Sequence, residues 1–192
     1  DATQSMVVHN INIKKTPVDV LVASAYKWLM TPNGIAFAYI NRAVLNQLSP
    51  ITAGWVSTTT PYELPLTMKF KTDAAMLEPG GKGLLELIGA KAALHYILDK
   101  TPQVIQQNLN HLMEYLFNQL NQLNVAFSYD YSRNKSCNII VIAGSKNQYL
   151  SLTNAGITCT FRQGKLRFSP YIFNTEYEIA VSYTHLTLPT NA

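Results

Sequence analysis

Apolar residues recur at helical spacing after Thr101-Pro102: Ile105, Leu109, Leu112, Leu116, Leu120 and Leu123 share one face, with Gln, Asn and Glu opposite. The Thr-Pro pair is a start signal, so this stretch predicts a long helix packed by one stripe. A second helix is predicted over Leu84 to Leu98, where Leu84, Leu87, Ile88, Ala92, Leu94 and Ile97 lie largely at helical spacing. Short apolar runs predict strands instead. Val18 to Ser24, bounded by Pro17, and Ile35 to Ile40, after the turn Thr31-Pro32-Asn33-Gly34, read as buried strands. Val125 to Tyr129, Cys137 to Ala143, Ile157 to Arg162 and Lys165 to Ser169 are further strand candidates, with a short helix over Asn147 to Ala155. Arg42 to Leu48 predicts a short helix ended by Ser49-Pro50, and Thr58 to Leu66, rich in threonine and proline, predicts a surface loop. Near the end, Asn174-Thr175 precedes Glu178 in the spacing of a capping box, which predicts a last helix.

Composition narrows the class without choosing a function. A chain of 192 residues with 47% hydrophobic and 14% charged content can bury a substantial core in one or two domains. No run approaches the eighteen or so apolar residues of a membrane span, so no membrane partner is expected. The start Asp1-Ala2-Thr3-Gln4-Ser5 shows no basic stretch followed by an apolar one, so no signal peptide is read there. A net charge of +4 spread over scattered basic residues gives no reason to expect nucleic acid. The two cysteines, Cys137 and Cys159, do not make a disulfide framework, which favours a reducing cytoplasm. No metal-ligand spacing is present. His9, a loop histidine with no identified partner, is read as a surface or packing residue.

The stretch that carries chemistry is Ser24-Ala25-Tyr26-Lys27-Trp28. Lys27 follows an apolar strand, and ligands in open α/β sheets gather at the carboxyl ends of strands. Taken alone, a lysine there is more simply one whose stem packs between its aromatic neighbours. Its company decides otherwise. Asp-Ala-Thr-Gln at residues 1–4, Ser-Ala-Tyr-Lys-Trp at 24–28 and Thr-Pro-Asn-Gly-Ile-Ala-Phe-Ala-Tyr at 31–39 together resemble the class V aminotransferase family of pyridoxal phosphate (PLP) enzymes, fold type I, which includes cysteine desulfurases, kynureninases and isopenicillin N epimerases.

The resemblance implies that Lys27 carries the cofactor as a Schiff base, a role open only to a neutral amine. It implies Asp1 at the pyridine nitrogen, whose protonation makes the ring an electron sink. It places Gln4 at the phenolic oxygen and Ser24 and Tyr26 at the phosphate. Tyr26 stands where many relatives have histidine and still has a hydrogen bond to give. Gly54-Trp55-Val56-Ser57 resembles a family segment that makes Trp55 a cofactor-side residue; a core or interface tryptophan is an equal alternative. Leu77-Glu78-Pro79-Gly80-Gly81 resembles a motif ending in a phosphate-binding threonine, a position held here by Gly81, and a glycine-rich turn before a helix can itself hold an anion. Gly164-Lys165-Leu166-Arg167-Phe168-Ser169-Pro170 with Asn174-Thr175 resembles the family's ending, in which the arginine holds the substrate's α-carboxylate; Arg167 takes that role and Arg162 is a weaker second candidate.

The fold implied is α/β: the C-terminal half of a PLP-dependent transferase large domain, with a mixed, mostly parallel sheet, plus a small α+β C-terminal domain. Residues 1–83 would belong to the large domain, 84–100 to a linking helix and 101–181 to the small domain. From Ser182 onward, β-branched residues and Pro189 replace helical periodicity in a stretch that resembles a translated adapter, so residues 182–192 are expected to be non-native. The implied activity is that of a PLP-dependent transaminase, lyase or epimerase acting on an amino acid, homodimeric when full length and inactive as this stretch alone. Only four residues separate Arg162 from Arg167, which leaves no room for the inserted cysteine loop of desulfurases, and Cys159 lies within a predicted strand, where packing is its simplest role. The alternative is a catalytically silent homologue that binds PLP or only dimerises.

Overall fold

The computed structural model describes residues 1–63, 67–129 and 138–187. These form two compact units, Asp1–Asp99 and Lys100–Ala192, each considered by itself. No helix among the described residues is long and apolar enough to cross a membrane.

In the first unit, β1 (Val20–Ser24) pairs with β2 (Ala36–Ile40) in antiparallel register, Val20 opposite Ile40 and Ser24 opposite Ala36. Of the mixed sheet expected, the described residues thus hold an antiparallel pair, and the strand that ends before Lys27 is not paired parallel to any neighbour among them. The connection between the strands is a loop in which the left-handed conformation falls on Met30 (φ 55°) and Gly34 (φ 94°), not on Thr31. A β-branched residue is therefore accommodated at position 31, where it is buried and its hydroxyl donates to the Pro32 carbonyl at 3.1 Å. Helix α1 is short, Arg42–Leu45, started by the Asn41 side chain accepting from Ala43 N–H. A single 3₁₀ turn, Ala74–Leu77, is capped in the same way by Asp73.

Helix α2 (Leu84–Lys100) departs from its expected packing face. Only Ala90 and Ile97 are buried, while Leu84, Leu85 and Ile88 are exposed. Its apolar residues surround the helix instead of forming one stripe, so a single contact face cannot bury them. One close approach is specific: a side chain on Gly89 would overlap the Pro32 ring, so glycine lets the 31–34 loop rest against the helix.

The second unit is α+β. Helix α3 (Pro102–Gln122) buries Ile105, Leu109, Leu112, Met113, Leu116 and Leu120, the predicted stripe with Met113 added. Leu123 lies past the last turn and is exposed. Each buried leucine is worth about 1.5–3 kcal/mol relative to exposure. Strands β3 (Ile140–Ala143), β4 (Thr160–Arg162) and β5 (Lys165–Phe168) form an antiparallel sheet in the order β3-β5-β4. Residues 125–129 add a single bridge, Phe127 to Ile142, in place of the predicted strand. Cys137 lies outside the described residues, as do residues 64–66 of the predicted surface loop. Helix α4 (Lys146–Asn154) starts with a capping box between Ser145 and Gln148. Helix α5 (Glu176–Thr187) starts with the predicted one: Glu178 accepts from Thr175 N–H at 2.8 Å and donates its own N–H to the Thr175 hydroxyl at 3.3 Å.

The core joins α3 to Ile140, Ile142, Leu152, Leu166, Phe168, Ile179 and Leu186. Helix α5 therefore continues beyond Val181, against the expectation of lost periodicity. Ile179, Ser182 and Leu186 follow one another at i, i+3 and i+7, and all three are buried. Ile179 and Leu186 reach the core, and the Ser182 hydroxyl donates to the Ile179 carbonyl at 2.7 Å, which satisfies the buried polar group between them.

Candidate functional site

Three hydrogen bonds tie residues 1–4 to the segment around Lys27. Ala2 N–H donates to the Val22 carbonyl at 2.7 Å, Ser24 N–H to the Thr3 hydroxyl at 2.9 Å, and the Trp28 indole N–H to Gln4 Oε1 at 2.9 Å. Val22 and Ser24 are two apart on β1, so both address the edge opposite β2. The Asp-Ala-Thr-Gln segment thus lies along that edge. Asp1 is held by a short local turn in which its Oδ1 accepts from Thr3 N–H at 2.7 Å.

This brings Asp1, Gln4, Ser24, Tyr26 and Lys27 into one neighbourhood. The Lys27 amine is exposed and stands 5.9 Å from the centre of the Tyr26 ring, which is itself half exposed. Trp28, next in sequence, is buried at 7% exposure and anchors the stretch. Thr3 belongs to the site as well, although the motif it stands in gives it no role. Its hydroxyl receives a strand N–H from a partner 21 positions away, and no local pattern announces that.

A second contact joins Trp55 to Gly81. The indole edge lies 3.3 Å from where a Cβ on Gly81 would stand, and Trp55 also approaches Tyr62 with ring centres 6.0 Å apart. Gly54 packs so closely on Pro79 that any side chain there would overlap the proline carbonyl, which fixes the 54–57 segment against 77–81. Trp55 keeps about half its surface exposed, so it is not a core residue. At the start of α2 the Glu86 carboxylate already folds against Gly83, and Lys82 pairs with Glu78. The glycine-rich turn that could hold an anion thus already has a carboxylate of its own beside it.

Arg167 belongs to the second unit. The residues of β5 alternate, Leu166 and Phe168 inward, Lys165 and Arg167 outward, which presents the guanidinium to solvent. Among the described residues its guanidinium donates one hydrogen bond, to the Thr160 hydroxyl opposite on β4, and that bond is long at 3.4 Å. Most of its donor fork is therefore free for a carboxylate. Arg162 is exposed at the end of β4, beside a two-residue turn in which Gln163 (φ 50°) and Gly164 (φ 71°) are both left-handed. That geometry closes a tight hairpin and holds no inserted loop. Cys159 packs against the core of the second unit, and burial pushes its thiol up, away from the reactive thiolate.

Comparison with known proteins adds a family. The aminotransferase class-V family model matches residues 1–181. No curated protein matches the sequence. Among solved structures, the chain is similar to the apo cysteine desulfurase of Thermococcus onnurineus NA1, with 21% identity and a TM-score of 0.84 over 94% of this chain and 49% of that one. It is similar to the cystine C-S lyase C-DES in complex with its product cysteine persulfide, at 19% identity and TM-score 0.84 over 96% and 50%. A mutant of C-DES with glycine covalently linked to its PLP cofactor aligns at 19% identity and TM-score 0.85 over 97% and 50%. The chain spans about half the length of the structures it matches.

Proposed function

We propose, for a chain that belongs to the aminotransferase class-V family, that it is part of a PLP-dependent enzyme acting on an amino acid, with Lys27 as the cofactor-bearing lysine. The observation that carries the reading is the bonding of residues 1–4 to β1 and Trp28, which sets the segment holding Asp1 and Gln4 beside the segment holding Ser24 and Lys27.

The residue types fit pyridoxal phosphate. Lys27 offers an accessible amine to an aldehyde. Asp1 has one carboxylate oxygen engaged by Thr3 N–H, and the other suits a protonated pyridine nitrogen. Gln4 offers amide N–H groups to a phenolic oxygen, and the Ser24 and Tyr26 hydroxyls suit a phosphate. Trp55 is a further cofactor-side candidate; Gly81, without a hydroxyl, has only its backbone N–H to give. When bound, the cofactor supplies an electron sink for a bond broken at the substrate's α-carbon. Lys27 is then the natural group to carry a proton to or from that carbon. Arg167 is the group suited to the substrate's α-carboxylate.

Within the family, the tight turn at Gln163-Gly164 and the packed, raised-pKa Cys159 favour a transaminase, lyase or epimerase that uses no cysteine nucleophile from this region. A homodimer in the cytoplasm is the assembly and location that accompany this reading. The test is Lys27→Ala in the complete protein. It abolishes the visible absorbance of bound PLP together with activity on amino acids; an unchanged absorbance refutes the assignment. A complete protein that binds PLP through Lys27 yet turns over no amino acid would be the silent homologue.

A further inference from the structure

We infer that Trp28 is a positioning residue that fixes which end of the Gln4 amide faces the cofactor, an inference that rests on the assignment of Lys27 and Gln4 above. An indole N–H can only donate, so it selects the carbonyl end of the Gln4 amide, and the hydrogen bond of 2.9 Å is made to Oε1. The Nε2 donors are thereby turned away from Trp28. Trp28 is buried at 7% exposure, whereas Gln4 is exposed, so the indole is the rigid member of the pair and the amide the adjustable one. An amide free to rotate would present its oxygen as readily as its nitrogen. A phenolic oxygen that carries negative charge is repelled by the first and accepts a hydrogen bond from the second. The tryptophan thus removes the wrong orientation without touching the ligand.

A donor held on the phenolic oxygen favours the more negative, deprotonated state of the lysine-bound cofactor and lowers the pH at which its proton leaves. Trp28→Phe keeps a buried aromatic ring and deletes the N–H, and the double substitution with Gln4→Leu separates the lost hydrogen bond from the change in volume. In the complete protein loaded with PLP, it should raise the pH midpoint of the visible absorbance change by about half a unit to one unit, the equivalent of one hydrogen bond. Gln4→Leu should raise it similarly, and Trp28→Phe should add nothing further in that background. Gln4→Glu, which still accepts from the indole but has no donor to offer, should also raise it. Gln4→Leu leaves the tryptophan in place and should speed solvent exchange of its indole proton, a readout that needs neither activity nor the Trp28 variant.

An unchanged midpoint in Trp28→Phe overturns the inference. So does a Trp28→Phe shift that persists in full in the Gln4→Leu background, or indole exchange indifferent to Gln4. Absence of any visible band in the unsubstituted protein overturns both this inference and the Lys27 assignment beneath it.

Discussion

Thr3→Val isolates the bond that seats the Asp-Ala-Thr-Gln segment beside Lys27. Valine has the shape of threonine but no acceptor, so Ser24 N–H loses its partner at 2.9 Å while the neighbouring packing is preserved. Leaving a backbone N–H without its acceptor costs about 1–3 kcal/mol when the group is sealed from water. Ser24 is only partly buried, and the bonds from Ala2 N–H to Val22 and from Trp28 to Gln4 persist, so the lower end applies. A loss of about 1 kcal/mol corresponds to roughly a fivefold weaker affinity for PLP if the segment's position is what the cofactor senses. The assay is titration of the complete apoprotein with PLP, followed by absorbance, alongside thermal unfolding. Thr3→Ser, which keeps the acceptor, should bind nearly as well as the unsubstituted protein. Equal affinities and unfolding temperatures for the valine, serine and unsubstituted proteins would mean that the Ser24–Thr3 bond does not seat the segment.

Gly54→Ala should destabilise the protein by about 1–3 kcal/mol, read by denaturant unfolding, because the added methyl overlaps the Pro79 carbonyl; a silent substitution would mean that the two segments are not in contact. Gly164→Ala tests backbone alone, since a Cβ there meets nothing within 4 Å while φ is 71°. It should cost about 1–2 kcal/mol, and no measurable loss would argue against the two-residue turn. The Glu178 carboxyl is held below its ordinary range, chiefly by the Thr175 N–H it accepts; desolvation opposes this, and the Asn174 and Thr175 side chains add smaller lowering contributions. Its stabilisation is present above the unfolded carboxylate pKa and is lost as pH falls through the lower folded value. Gln at 178 should therefore be less stable than Glu near neutral pH, with the difference shrinking on acidification; a difference that does not change with pH would contradict the sign.

Much of the second unit was legible because one physical pattern dominated each element. The 3.6-residue spacing of α3 identified five of its six buried positions, and the Thr175–Glu178 spacing identified the start of α5. Helix α2 was legible as a helix but not as a packing face, since apolar residues all around it specify no direction. Helix α5 runs on to Thr187, past the Val181 at which β-branched composition predicted its end, because Leu186 still reaches the core that Ile179 joins.

At the candidate site, the motifs named the residues but not what holds them together. Hydrogen bonds from Ser24 to Thr3 and from Trp28 to Gln4 bridge 21 and 24 positions and involve one side chain on each acceptor. No periodicity encodes such pairs. The approach of Trp55 to Gly81 is similar: it depends on Gly54 tolerating the Pro79 carbonyl, a fit visible only in three dimensions.

Everything proposed for this chain depends on Lys27 being the residue joined to the cofactor. Borohydride reduction of the complete protein after addition of PLP, followed by peptide mass spectrometry, tests it directly. If Lys27 bears the cofactor, a stable pyridoxyl adduct forms on the peptide containing Ser24-Ala25-Tyr26-Lys27-Trp28 and is lost in Lys27→Ala. An adduct on another lysine, or none, would contradict it.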